Sequence, residues 1–130
     1  MSNMVRVEEK ALLEASAGKT NYTNPTTPIK VRLTTAVGST TAAGTEVTGG
    51  SYASQTVVWN AATSADPSVV TSNGALTYTS MPAATVTSLE IWDSAGTPIR
   101  RWFGNLTASK TTNSGDTFTI ADTALSLSLG

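Results

Sequence analysis

Apolar and polar residues alternate along this chain in short runs, and turn-forming residues cut each run before it lengthens. Ile29, Val31 and Leu33 alternate with Lys30, Arg32 and Thr34, a period of two that turns one strand face to a core and the other to water. The same texture recurs at 46–48, 52–61, 69–70, 75–79, 85–92, 98–106, 117–120 and 125–129, the last with Leu125, Leu127 and Leu129 between serines. Gly49-Gly50, Ser72-Asn73-Gly74, Asp93-Ser94-Ala95-Gly96 and Asn113-Ser114-Gly115-Asp116 separate the runs, and these are residues that turns require. Many short strands with regular turn signals predict a mainly β fold, an antiparallel β-sandwich or barrel. The clearest hairpin joins 85–92 to 98–106, with Asp first and Gly fourth in a type I turn followed by a bulge.

The first eighteen residues have a different period. Met4, Val7, Ala11, Leu12 and Ala15 recur at three- and four-residue steps, which makes one apolar stripe on a short helix. Ser2 or Asn3 is placed to cap its start, Glu8 and Glu9 suit the positive end of the helix dipole, and Gly18 suits a left-handed cap at its end. A helix this short does not stand alone, so it must dock on its own domain or on a neighbouring subunit. Pro25 and Pro28 close a linker after it. The expected organisation is an arm over residues 1–24 followed by a β-sandwich domain over 25–130. The N-terminus carries acidic residues where a signal peptide would be apolar, so the chain is expected to be made in a cytoplasm and not exported by that route.

Composition narrows the chemistry. With no histidine and no cysteine in 130 residues, Ser-His-Asp and Cys-His catalysis and thiolate zinc sites are excluded. Charged residues are 13% of the chain and the formal net charge is −1, which gives no long-range field to gather nucleic acid or an anionic membrane. No apolar run approaches the ~20 residues that span a bilayer.

The remaining motifs carry little chemistry. Gly18-Lys19-Thr20 resembles the end of a phosphate-binding loop, but position 13 is Leu and the triplet follows a helix where the motif precedes one. Asp93 to Gly96 lacks the alternating oxygen ligands and closing Glu of a calcium loop. Asp116 and Asp122 read as strand-end turn residues. Arg100-Arg101 is the one basic doublet; adjacent strand residues face opposite ways, so it reads as a local salt-bridge or interface feature. No metal or cofactor is expected. A carboxylate pair brought together by the fold, as in a small glycan-active enzyme, stays open.

The order of segments resembles a family of small tailed-phage virion proteins, labelled tail-fibre-like or head decoration (minor capsid) proteins. The shared pieces are Lys10-Ala11-Leu12-Leu13-Glu14, Tyr22-Thr23-Asn24-Pro25, the strand at 29–35, the twelve residues from Gly44 to Gln55, Ala84-Thr85-Val86-Thr87, the run from Gly104 to Lys110, and Asn113-Ser114-Gly115-Asp116. Ser54 stands where the family often has Arg, Ser88 where it often has His, and Ala36-Val37-Gly38 replaces an Asp-Pro turn. These departures bear on partner contacts and not on the fold. The resemblance implies a structural virion protein with no catalytic residues. It points first to a head decoration protein that binds the major capsid protein as a homo-oligomer, a trimer being favoured. The alternative is a tail-fibre or baseplate component at the host surface.

Two groups of residues are candidates for an interface. Met4, Val7 and Leu12 lie on the stripe of the arm. On the hairpin, a register that sets Trp92 opposite Pro98 and Glu90 opposite Arg100 gathers Glu90, Trp92, Arg100 and Trp102 on one face. It leaves Leu89, Ile91, Ile99 and Phe103 on the core side, with Arg101 at its edge. The opposite reading makes both tryptophans ordinary core residues, because one slipped residue exchanges the faces.

Overall fold

The computed structural model describes residues 3–129. In order, the described elements are β1 (Asn3–Met4), α1 (Arg6–Ser16), β2 (Ile29–Ala36), β3 (Thr45–Glu46), β4 (Gln55–Val57), β5 (Ser68–Thr71), β6 (Leu76–Met81), β7 (Ala84–Trp92), β8 (Arg100–Thr112), β9 (Asp116–Ile120) and β10 (Ser126–Leu129). The fold is mainly β with one short N-terminal helix, as the alternation predicts.

The main sheet runs β1-β8-β7-β2-β3, with β4 also pairing β2; β5 pairs β10, and β6 pairs β9. All these pairings are antiparallel. The sheet stays open and does not close into a barrel. Its inner face carries Val31 and Leu33 of β2 and Leu89 and Ile91 of β7. These pack in one cluster with Leu76, Tyr78, Phe118 and Leu127 of the two ribbons. The ribbons thus form the second layer of a sandwich.

Tyr78 ties the layers together. Its hydroxyl donates to the Val31 carbonyl at 2.9 Å, and its ring stacks on Tyr52 and meets Phe118 edge-on, each at 6.0 Å between centroids. A fully buried aromatic ring contributes on the order of 1.5–3 kcal/mol from area alone. Its one polar atom is satisfied, so that gain is not offset.

The turn signals mark real reversals, but two of them do not join paired strands. Gly49 and Gly50 have positive φ, yet β3 and β4 pair separately with β2. Their turn steers the chain against the 80–82 segment instead. Ser51 N–H donates to the Ser80 carbonyl at 3.0 Å, and a Cβ on Gly50 would lie 2.6 Å from that same oxygen. Likewise Ser72-Asn73-Gly74 connects two different ribbons.

The helix is shorter than its apolar period suggests. Met4 is not helical: Asn3 and Met4 pair with Phe103 and Trp102 at the edge of β8. Edge pairing supplies their backbone groups with partners, which a frayed first turn would not. Val5 holds the cap position in extended conformation with no side-chain cap, so Asn3 does not cap the helix; Ser2 lies outside the described residues. Gly18, at φ +76, ends the helix in the left-handed region as expected.

The hairpin has a different register from the expected one. Trp92 lies opposite Arg100, Ile91 opposite Trp102 and Glu90 opposite Phe103, with a bulge between Ile91 and Trp92. The extra residue is Arg101, and it exchanges the faces of everything beyond it on β8. Trp102 therefore shares the inner face with Ile91 and packs against the core, while Phe103 joins Glu90 on the outer face. Ile99 lies exposed in the turn. Further along, β7 advances from Val86 to Ser88 while β8 runs from Lys110 back to Asn105, a longer irregularity.

Because Trp102 is a half-buried core neighbour, Trp102→Ala is expected to destabilise the isolated domain by about 2–3 kcal/mol, somewhat below the cost of a fully buried tryptophan. Urea unfolding measures this; an unchanged midpoint would return Trp102 to a purely external role.

Candidate interaction groove

The outer face of the main sheet is polar yet buried at its centre. Glu90 and Arg100, one behind the other on β7 and β8, form an ion pair at 3.2 Å with both side chains almost fully covered. Residues 37–44 lie over them. Gly44 N–H donates to Glu90 Oε2 at 2.7 Å, Arg100 donates to the Ser39 carbonyl, and Trp92 Nε1–H donates to Glu90 Oε1 at 3.1 Å. An unpaired charge at this depth would cost several kcal/mol, and here both carboxylate oxygens and both terminal guanidinium nitrogens have partners. The small residues of the loop make the approach possible. A Cβ on Gly38 would lie 2.9 Å from Arg100 Nη1, and one on Gly44 would overlap the Ala36 carbonyl oxygen. Beside the pair, Thr34 and Ser88 share a buried hydroxyl–hydroxyl bond, and Arg32 stacks on Trp92 at 4.0 Å.

Arg101 serves a second cluster. It donates to Asp93 Oδ2 at 2.8 Å and to Glu8 Oε2 at 2.7 Å, and the Tyr22 hydroxyl donates to the other oxygen of Glu8. Asp93 Oδ1 accepts from the amides of Ile99, at 2.8 Å, and Ala95, at 3.2 Å, which fixes the hairpin turn. Burial opposes ionisation of Asp93, but those amides and the Arg101 guanidinium outweigh it and hold the carboxyl below its ordinary range. Burial likewise works against the charge on Arg101, and the two carboxylates more than restore it. Burial, then the Glu8 hydrogen bond and charge, push the Tyr22 hydroxyl up.

Between α1, the 37–44 loop and the hairpin turn runs an open groove of about 540 Å³, lined by Val5, Val7, Trp92, Pro98 and Ile99 with Arg6, Lys10 and Arg100. Val7 is 51% exposed, and the side chains of Arg6 and Lys10 are 67% and 69% exposed. No carboxylate lines it among the described residues. Of the residues singled out from the sequence, Val7, Trp92 and Arg100 meet here. Glu90 lies beneath as the counter-ion, Leu12 sits half-buried further along α1, and Met4 and Trp102 belong to the other side of β8. Ile99, Pro98, Arg6 and Lys10 carry no sequence signal that marks them out. Glu8 does: a carboxylate beside an apolar helix stripe, with a basic doublet elsewhere to answer it.

The groove is suited to binding. Among the described residues every buried side-chain nitrogen and oxygen has a hydrogen-bond partner. No group of three carboxylates there could hold a metal ion.

A family model described as podophage GP4 fiber I protein gp80 matches residues 1–128. No curated protein matches the chain.

Two outcomes follow from the side-chain clusters. A carboxyl held low stabilises the fold fully above its unfolded value of about 4 and loses that contribution as pH falls through the folded value. Stability is therefore expected to decline below about pH 4. Asp93→Asn should cost about 2 kcal/mol at neutral pH and make that decline shallower; equal acid sensitivity in both proteins would place its origin elsewhere. Gly44→Ala should cost about 1–3 kcal/mol by forcing the loop off Glu90, and a melting temperature equal to that of the unsubstituted chain would contradict the close approach.

Proposed function

The chain belongs to the podophage GP4 fiber I protein family, and from that membership we propose that it is a non-catalytic fibre subunit of the virion, seated on its virion partner through the groove. That it is a phage structural protein follows from the family itself. The observation that carries the finer reading is the match over residues 1–128 to a family described as a fibre. We take the fibre over the capsid decoration that the resemblance first implied because the description names it.

The groove supports the seating. Trp92 and Ile99 offer a large apolar floor, and aromatic and Arg residues are the types enriched at binding hot spots. Arg6 and Lys10 stand on the rim, each paired along the helix, with Glu9 at 3.0 Å and Glu14 at 2.6 Å. The partner segment that fits is one that sets an apolar side chain on this floor.

The test is immunogold labelling of purified virions with an antibody to this chain. Gold is expected at fibres; gold spread over the head would favour decoration and overturn the fibre assignment. Val7→Glu with Ile99→Glu places two negative charges in the groove without touching the core. Incorporation into virions should fall at least about tenfold, a loss of roughly 1.4 kcal/mol, with the melting temperature unchanged. Full incorporation would move the seat elsewhere.

A further inference from the structure

We propose that the cleft between the linker after α1 and the inner side of β8 binds an uncharged saccharide. The proposal stands apart from the groove and from the fibre assignment, because the two sites share no residue.

The cleft has a volume of about 300 Å³ and is lined by Trp59, Trp102, Tyr22 and Asn24 together with Glu8 and Arg101. A smaller hollow of about 180 Å³ adjoins it at Trp102 and Leu127. Sites for small molecules run from about 300 to 1,000 Å³, so the space suits one or two sugar rings.

The lining carries polar groups that the fold leaves unspent. Of the three indole N–H groups, the fold uses that of Trp92. Those of Trp59 and Trp102 have no protein acceptor among the described residues, and since every buried polar atom there has a partner, both are open to solvent. Arg101 commits three N–H groups, two to Asp93 and one to Glu8, and a guanidinium has five. Each oxygen of Glu8 accepts one hydrogen bond, from Tyr22 and from Arg101, and keeps a second lone pair, as does the Tyr22 oxygen. The same bonds hold these groups in place, so a ligand would find them already oriented.

This mixture selects among ligands. A sugar ring has a face of C–H groups and a rim of hydroxyls that both donate and accept. The tryptophans match the face, the indole and guanidinium N–H groups match the hydroxyl oxygens, and Glu8 and Tyr22 match the hydroxyl protons. A proline-rich segment also settles on aromatic walls, but proline has no N–H to offer, which leaves the acceptors unanswered. Arg101 already faces two carboxylates, Glu8 and Asp93. The excess negative charge there disfavours phosphate and acidic sugars.

The tryptophans make the test local. The isotope-labelled full chain is titrated with the methyl glycosides of glucose, galactose, mannose and N-acetylglucosamine, with inorganic phosphate and with a short proline-rich peptide, and the indole N–H signals are followed by NMR. At least one glycoside is expected to move the Trp59 and Trp102 signals, with a dissociation constant below about 10 mM, while the Trp92 signal stays in place. Trp59→Ala should weaken that binding at least about tenfold. Asn24→Ala removes an exposed side chain, so the melting temperature should hold while binding weakens about threefold, as for one lost hydrogen bond. No shift with any of the four glycosides overturns the proposal, as do shifts confined to Trp92 or binding undiminished in both variants. A response to phosphate alone or to the peptide alone also overturns it and gives the cleft to that ligand.

Discussion

The guanidinium of Arg101 is the junction on which the rest of the structure depends. It stands at the bulge in β8, out of step with the alternation on either side. From there it meets Asp93, which shapes the hairpin turn, and Glu8, which anchors the helix. One residue earlier, Arg100 meets Glu90 on the outer face. The bulge thus divides an arginine doublet between two buried clusters. Buried ion pairs add little net stability compared with well-packed apolar residues. Their effect here is geometric: each carboxylate fixes the position of an element that packing alone would leave free to slide.

The strands were legible because their period is local. The 29–36 alternation, the 84–92 run and the serine-spaced leucines of β10 stand where their own residues place them. Partner choice was less legible. Gly49-Gly50 marks a turn, but nothing nearby says that β3 and β4 will both pair with β2. The largest departure, the exchanged places of Trp102 and Phe103, comes from one inserted residue. A bulge at Arg101 leaves no local trace, and one of the two carboxylates that its side chain meets there, Glu8, comes from the far end of the chain. The helix shows the same limit. Its stripe promised an apolar docking face, and the residue buried there is Glu8.

The groove illustrates why surface sites are harder to read than cores. Val7, Trp92 and Arg100 were visible as residue types suited to an interface, but Pro98 and Ile99 join them only because the hairpin turn projects beyond the bulge. The floor of the groove is rigid, with Trp92 held between Arg32 and Glu90. A preformed aromatic surface of this kind loses little side-chain entropy when something settles on it.

The irregular stretch of β8 has a consequence for solubility. β1 covers this long strand only opposite Trp102 and Phe103, which leaves the rest of a sheet edge where another molecule could add a strand. Open edges of this sort seed aggregation. Between Asn105 and Lys110 the register breaks and the strand no longer offers a straight ladder, and Lys110 would bring a charge into any new pairing. The long edge that β8 leaves uncovered is in this way made a poor template for another copy of the chain.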